Sequence, residues 1–302
     1  MKTVEVEHYP FRMDEPEDVI EPAIFDQMEK LVRNPIFQLK DRGSIFNWMQ
    51  KHFLRCRFLS QEEEELRKRN IMGADLFYHG KEHSVFQTTY NAISTTRAIL
   101  SRGDKLSSHL TPEGVIAIIL AAMYHDTGFV YEEHQRFAIH SSIHVEESKR
   151  AATESVDLWG LPNQLNMDRL KKFVVVGIHG THFPYDEKRA TEGKYLINDL
   201  PLKDRKEAQI IRLAVQFADW GGQTARIDRY PEGLKRLREE MNACKPGLGT
   251  KVIGEDHELE KKRRESIEFV IKKTVGKTGN AFFRTNNHSF AREWYKSSAS
   301  SR

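Results

Sequence analysis

The chain has 302 residues, 47 basic against 44 acidic, a formal net charge of +3, 13 histidines and 2 cysteines. That length suffices for a sizeable core, and the near-neutral balance gives no electrostatic case for nucleic acid or a membrane surface as the main partner. Cys56 and Cys244 make neither a disulfide framework nor a CxxC metal site. The first residues, MKTVEVEHYP, lack the apolar stretch of a signal peptide, and the longest apolar run, Val115–Tyr124, falls far short of the about 20 residues that span a bilayer. A cytoplasmic protein is the expectation.

Residues 1–70 open with a Pro- and acid-rich lead and continue in helical pattern. Ile24, Met28, Leu31 and Val32 share one face, and Ile45, Trp48, Met49 and Phe53 make another. QEEEELRKR then sets acids ahead of bases at i,i+4, as on an exposed helix. His52 has no partner nearby in the sequence and reads as a surface or packing residue, so this part is expected to be a helical extension without chemistry of its own. Gly73 and Gly80 break the periodicity, and a helix resumes near His83 and runs to Leu100. His79 and His83 are four apart, but Gly80 makes a loop-to-helix junction the better reading.

Thr111 can cap a helix that starts at Pro112, with Glu113 placed to favour the N-terminal dipole. From Val115 to Tyr124 this helix is apolar on almost every face, so it belongs in the core. It ends in His125-Asp126, with Gly128 to stop it. A buried ion has to be paired or bound to metal. A core histidine satisfied by its neighbouring aspartate is the plain alternative at that position alone.

A further helix from about Arg136 to Ala152 sets His140 and His144 one turn apart; His144 is the first ligand candidate there, His140 the second, and His134 precedes them in a loop. The helix from Met167 carries His179 and His182 near its end, with Gly180 and Pro184 at the exit. Residues 185–203 read as a polar loop, a candidate lid. The helix RKEAQIIRLAVQFADWGGQ is core-like and places Asp219 in its last turn, where a carboxylate opposes the helix dipole and calls for a cation. Helices are also expected over residues 231–243 and 259–275, followed by a frayed Ser-rich tail, with His257 and His288 structural or exposed.

Strand-like alternation is almost absent, so the fold class is all-α, a multi-helix bundle. The expected division is an extension over residues 1–70, a core over 71–230 and a C-terminal helical extension over 231–302. The candidate ligands are His83, His125, Asp126, His144, His179, His182 and Asp219, most of them at helix ends. Nitrogen and carboxylate donors without cysteine suit divalent zinc, iron, manganese or magnesium. An aspartate between two such ions can bridge them.

The order His83, His125-Asp126, Asp219 resembles the HD-domain superfamily of metal-dependent phosphohydrolases, over roughly residues 75–225. Tyr78-His79-Gly80-Lys81-Glu82-His83 looks like the Tyr-His-Asn-x-x-His segment of that superfamily's cyclic-nucleotide phosphodiesterases, with Gly80 where the family has Asn. The resemblance implies that His83 is a metal ligand and that His79 protonates the leaving oxygen. His144, in His-x-Glu-x-Ser, and the His179/His182 pair resemble the extra ligands of the binuclear HD-GYP branch. The GYP signature itself is absent, since Phe183-Pro184-Tyr185 follows His182, and Ser266 and Glu268 stand near Phe269 where a purine-binding Gln is usual.

By this resemblance His83, His125, Asp126 and Asp219 hold one ion. His144 with His179 or His182 holds a second, with Asp126 bridging. The metals generate the attacking hydroxide, which makes Asp126 and His79 the catalytic pair for hydrolysis of a cyclic nucleotide or related phosphodiester. Lys81 is a candidate phosphate contact, the plain alternative being a solvent-facing lysine. Three other functions fit the scaffold: a nucleotidase or nucleoside-triphosphate hydrolase, an HD-type diiron oxygenase, and a nucleotide-binding sensor.

Overall fold

The computed structural model describes residues 7, 9–11, 15–70, 79–101, 103, 107–127, 142–159, 165–182, 187–221 and 235–237. Among these the chain is all-α, with no strand: α1 (Glu17–Val32), α2 (Arg42–Asn70), α3 (Thr88–Ser101), α4 (Pro112–Tyr124), α5 (Ser142–Trp159), α6 (Met167–His179), α7 (Glu187–Asn198) and α8 (Arg205–Gln216). Two π-helical segments, Glu82–Gln87 and Phe217–Gly221, lead into α3 and out of α8. The helices expected over 231–243 and 259–275 lie outside the described residues, apart from the helical turn 235–237. So do Tyr78, Gly128, His134, His140, Cys244, His257 and His288.

The bundle is arranged around α4. Thr111 Oγ1 accepts the Gly114 N–H at 3.3 Å and Pro112 opens the helix, as the capping pattern requires. Every residue from Gly114 to Tyr124 is buried, because α2, α3, α5, α6 and α8 surround the helix. Each of its isoleucine, leucine and valine side chains contributes on the order of 1.5–3 kcal/mol of hydrophobic stabilisation. α6 packs tightly on it at Gly177, where an added Cβ would come within 2.6 Å of Ala121 Cβ.

α1 and α2 share this core. Ile24, Met28, Leu31, Met49 and Phe53 belong to one continuous apolar cluster with α3, α4, α6 and α8. His52 is fully buried, its Nδ1 3.0 Å from Tyr124 Oη and its ring between those of Trp48 and Trp159, at 4.1 and 4.7 Å. Burial, helped by the Arg55 charge, lowers its pKa to about 3, so it stays neutral.

Residues 185–203 were expected as a polar loop, but α7 occupies Glu187–Asn198. Its Glu, Lys, Arg, Ala and Leu residues favour helix, while only Gly193 and Ile197 are buried. So thin an apolar stripe leaves no visible helical period. α5 also runs to Trp159, beyond the expected end near Ala152.

α4, α6 and α8 run in the same direction. At their N-terminal ends Arg169 donates to Glu207 Oε2 at 2.6 Å, to Asp204 Oδ1 at 3.1 Å and to Thr111 Oγ1 at 3.2 Å. Glu207, only 2 % exposed, also accepts the Thr111 N–H and O–H, both at 2.7 Å. At the other end lie His125 after α4, His179 at the end of α6, and Asp219 after α8. The candidate ligands therefore sit at one end and an ion-pair lock at the other.

Candidate metal centre

His83, His125 and Asp126 offer ligand atoms that all lie within 4.8 Å of one another, and all three are buried. His125 Nε2 is 2.9 Å from Asp126 Oδ2, and His83 Nε2 is 4.0 Å from the same oxygen. Asp219 joins them: its Oδ1 lies 3.4 Å from His83 Nε2 and 3.8 Å from His125 Nε2. Four expected ligands thus come together, and His79 stands beside them with its ring centroid 5.9 Å from that of His83.

Local structure aims each group. The π segment Glu82–Gln87 inserts an extra residue per turn and so re-aims His83, and a second π segment does the same for Asp219. His83 Nδ1 donates to Gln87 Oε1 at 3.2 Å, and His125 Nδ1 donates to the Ala122 carbonyl at 2.8 Å. With the proton kept on Nδ1, Nε2 is the ring atom that a bound ion would take from each histidine. The Ser84 hydroxyl donates to Asp126 Oδ2 at 2.9 Å. Asn91, on α3, donates to the Ala218 carbonyl at 3.2 Å and so pins the segment that carries Asp219.

The electrostatics favour a cation. Two carboxylates, 7 and 6 % exposed, face two imidazoles, and buried negative charges need a positive partner. His125 Nε2 is fully buried and meets Asp126 Oδ2 at 2.9 Å without hydrogen-bond alignment. Burial opposes its protonation, but Asp126 and then Asp219 outweigh burial and raise it to about 9. Asp126 is held well below the carboxylate range, since the His125 charge overcomes the penalty of burial. A proton on His125 balances one of the two negative charges; a divalent cation balances both. The donor set of two imidazoles and two carboxylates suits such an ion.

The other candidates sit differently. His144, His179 and His182 are all buried, and the His179 and His182 rings lie 4.9 Å apart. Among the described residues they do not form a second group as compact as the first. His179 turns its Nε2–H to the Arg189 carbonyl at 3.0 Å, against α7, and leaves a buried Nδ1 without a hydrogen bond. Burial lowers His179 to about 4; for His182 burial and the neighbouring His179 and Arg189 charges lower it to about 2. Lys81 pairs with Glu17 of α1 rather than pointing free.

Ser84, Gln87, Asn91 and Glu64 were not singled out in the sequence. Gln87 is four residues from His83 on one helix, a signal that was present; Asn91 and Glu64 reach the site across long separations and leave no local trace. A cavity of about 670 Å³ opens at the opposite, Arg169 end. Carboxylates already neutralise Arg169 there, so it offers no comparable site. Comparison with models of protein families, with curated proteins and with solved structures gives no match. No helix among the described residues is long and apolar enough to cross a membrane.

Proposed function

We propose that the protein is a metal-dependent phosphoric ester hydrolase acting on a cyclic nucleotide or a related phosphodiester. The observation that carries this reading is the buried meeting of His83, His125, Asp126 and Asp219 with His79 alongside. A divalent ion held by those four residues supplies Lewis acidity, drawing charge from phosphoryl oxygens and making water nucleophilic at neutral pH.

The chain's own groups do the rest. Ser84 fixes one oxygen of Asp126, and Gln87 and the Ala122 carbonyl hold the two imidazoles in one tautomer. His79, half-buried next to His83, delivers a proton to the departing alkoxide oxygen. Lys81 contacts phosphate only after leaving Glu17. His144, His179 and His182 are the candidates that would hold a second ion. His179 joins them through Nδ1, or through Nε2 once it releases the Arg189 carbonyl.

The test is hydrolysis of cyclic AMP, cyclic GMP and bis(4-nitrophenyl) phosphate by metal-reconstituted protein, with metal content measured on the same samples. His79→Ala is expected to lower kcat by about 10²–10⁴ while keeping its metal; His125→Ala is expected to lose the metal. Full occupancy without diester cleavage overturns the reading. Turnover of nucleoside mono- or triphosphates would then indicate a nucleotidase, and dioxygen consumption by the iron-loaded protein an oxygenase.

A further inference from the structure

We propose that Glu64, on α2, is a positioning residue of the His83–His125–Asp126 group and acts through the main chain at Gly80–Ser84. This deepens the reading of that group as a metal site and rests on it. Glu64 Oε1 accepts the Lys81 N–H at 2.7 Å. A Cβ on Gly80 would run into the same oxygen, so the carboxylate lies directly against the bend that precedes the helix. The first amides of a helix have no partner within it, and an ionised carboxylate is a strong acceptor for them.

The anchored turn leads straight to the ligands. The Gly80 carbonyl accepts the Ser84 N–H at 2.9 Å, an i,i+4 bond that leads into the π segment. His83 lies within that turn, and the Ser84 hydroxyl donates to Asp126 Oδ2 at 2.9 Å. His79 immediately precedes Gly80. A displacement at the Lys81 amide therefore reaches His79 and His83 through the backbone, and Asp126 through one hydrogen bond.

An ionic strap runs alongside. Lys81 pairs with Glu17, while Arg57 pairs with Glu21 and lies 3.6 Å from Glu17. These side chains are partly exposed, and such pairs contribute little individually. The amide anchor, not the strap, sets the register. α2 thus takes part in the site, and the small residue at position 80 leaves the room the anchor needs.

The experiment is cobalt(II) titration followed by visible d–d absorption, with hydrogen exchange of residues 79–88 measured on the same proteins. Glu64→Ala is expected to weaken cobalt binding about tenfold, the scale on which loss of an outer-shell partner acts. It should also speed exchange at the Lys81 and Ser84 amides with no shift of the thermal midpoint. Glu64→Gln keeps an acceptor oxygen and should restore both properties; Glu17→Gln removes only the strap and should change neither. Wild-type affinity and protection in Glu64→Ala overturn the proposal, as does an equal loss in Glu64→Gln. If the wild type takes up no more cobalt than His125→Ala, the metal reading fails. Exchange then decides alone: lost protection in Glu64→Ala upholds the anchor, and kept protection overturns it.

Discussion

His52 and His125 show how burial divides one residue type into opposite behaviours. His125 faces two carboxylates, which raise its pKa; His52 faces aromatic rings and Arg55, and its pKa is lowered. For His52 the native pKa, about 3, lies below the usual 6.5. The unfolded chain therefore binds the extra proton between those values, and stability falls as pH falls through that window. Between pH 7 and pH 5 this residue alone removes about 2 kcal/mol. His52→Gln should flatten the dependence by that amount, read from urea midpoints at both pH values. His179 and His182, lowered in the same sense, keep the remainder of the slope in the variant.

At the scale of elements, α4 and α6 pack closely at Gly177. An alanine at position 177 would place its Cβ 2.6 Å from Ala121 Cβ, 3.3 Å from Val215 Cγ2 and 3.4 Å from Ile211 Cγ2. Those atoms belong to packed helices and cannot swing away, so Gly177→Ala should destabilise by about 2 kcal/mol. Gly43, near the start of α2, has nothing within 4 Å of an added Cβ. Gly43→Ala should stabilise by about 0.5–1 kcal/mol through helix propensity. Urea unfolding of both variants checks the pair, and a stabilised Gly177→Ala would show that α4 and α6 can separate. α7 belongs to the same scale: its composition favours helix, but its contact with α6 and α8 involves few apolar side chains, so its pattern reads as loop.

For the whole molecule, parallel α4, α6 and α8 separate a locking end from the end that carries the candidate metal ligands. Thirteen residues of α4 at 1.5 Å each put roughly 20 Å between them. Arg169→Met leaves Glu207 and Asp204 buried without their cation and should destabilise by about 3 kcal/mol. Cobalt affinity should stay at the wild-type value in the folded variant. A coupled loss of affinity would mean that the two ends communicate along α4.

Much of this was readable in the residues themselves. The Thr111–Pro112 cap, the apolar run to Tyr124 and the His125-Asp126 ending are local features, and local hydrogen bonding and side-chain periodicity realise them directly. The all-α class follows for the same reason. Which of seven ligand candidates meet is a different matter. His83, His125, Asp126 and Asp219 converge because helices far apart in sequence pack at particular angles and depths, and no i,i+4 spacing encodes that. The same holds for His52 closing against Tyr124, for His179 turning to the Arg189 carbonyl and for Glu64 reaching Lys81. The sequence by itself determined the all-α class, the strongly patterned helices such as α4 and the kinds of donor available; the tertiary packing of side-chain volumes decided which donors share one point in space.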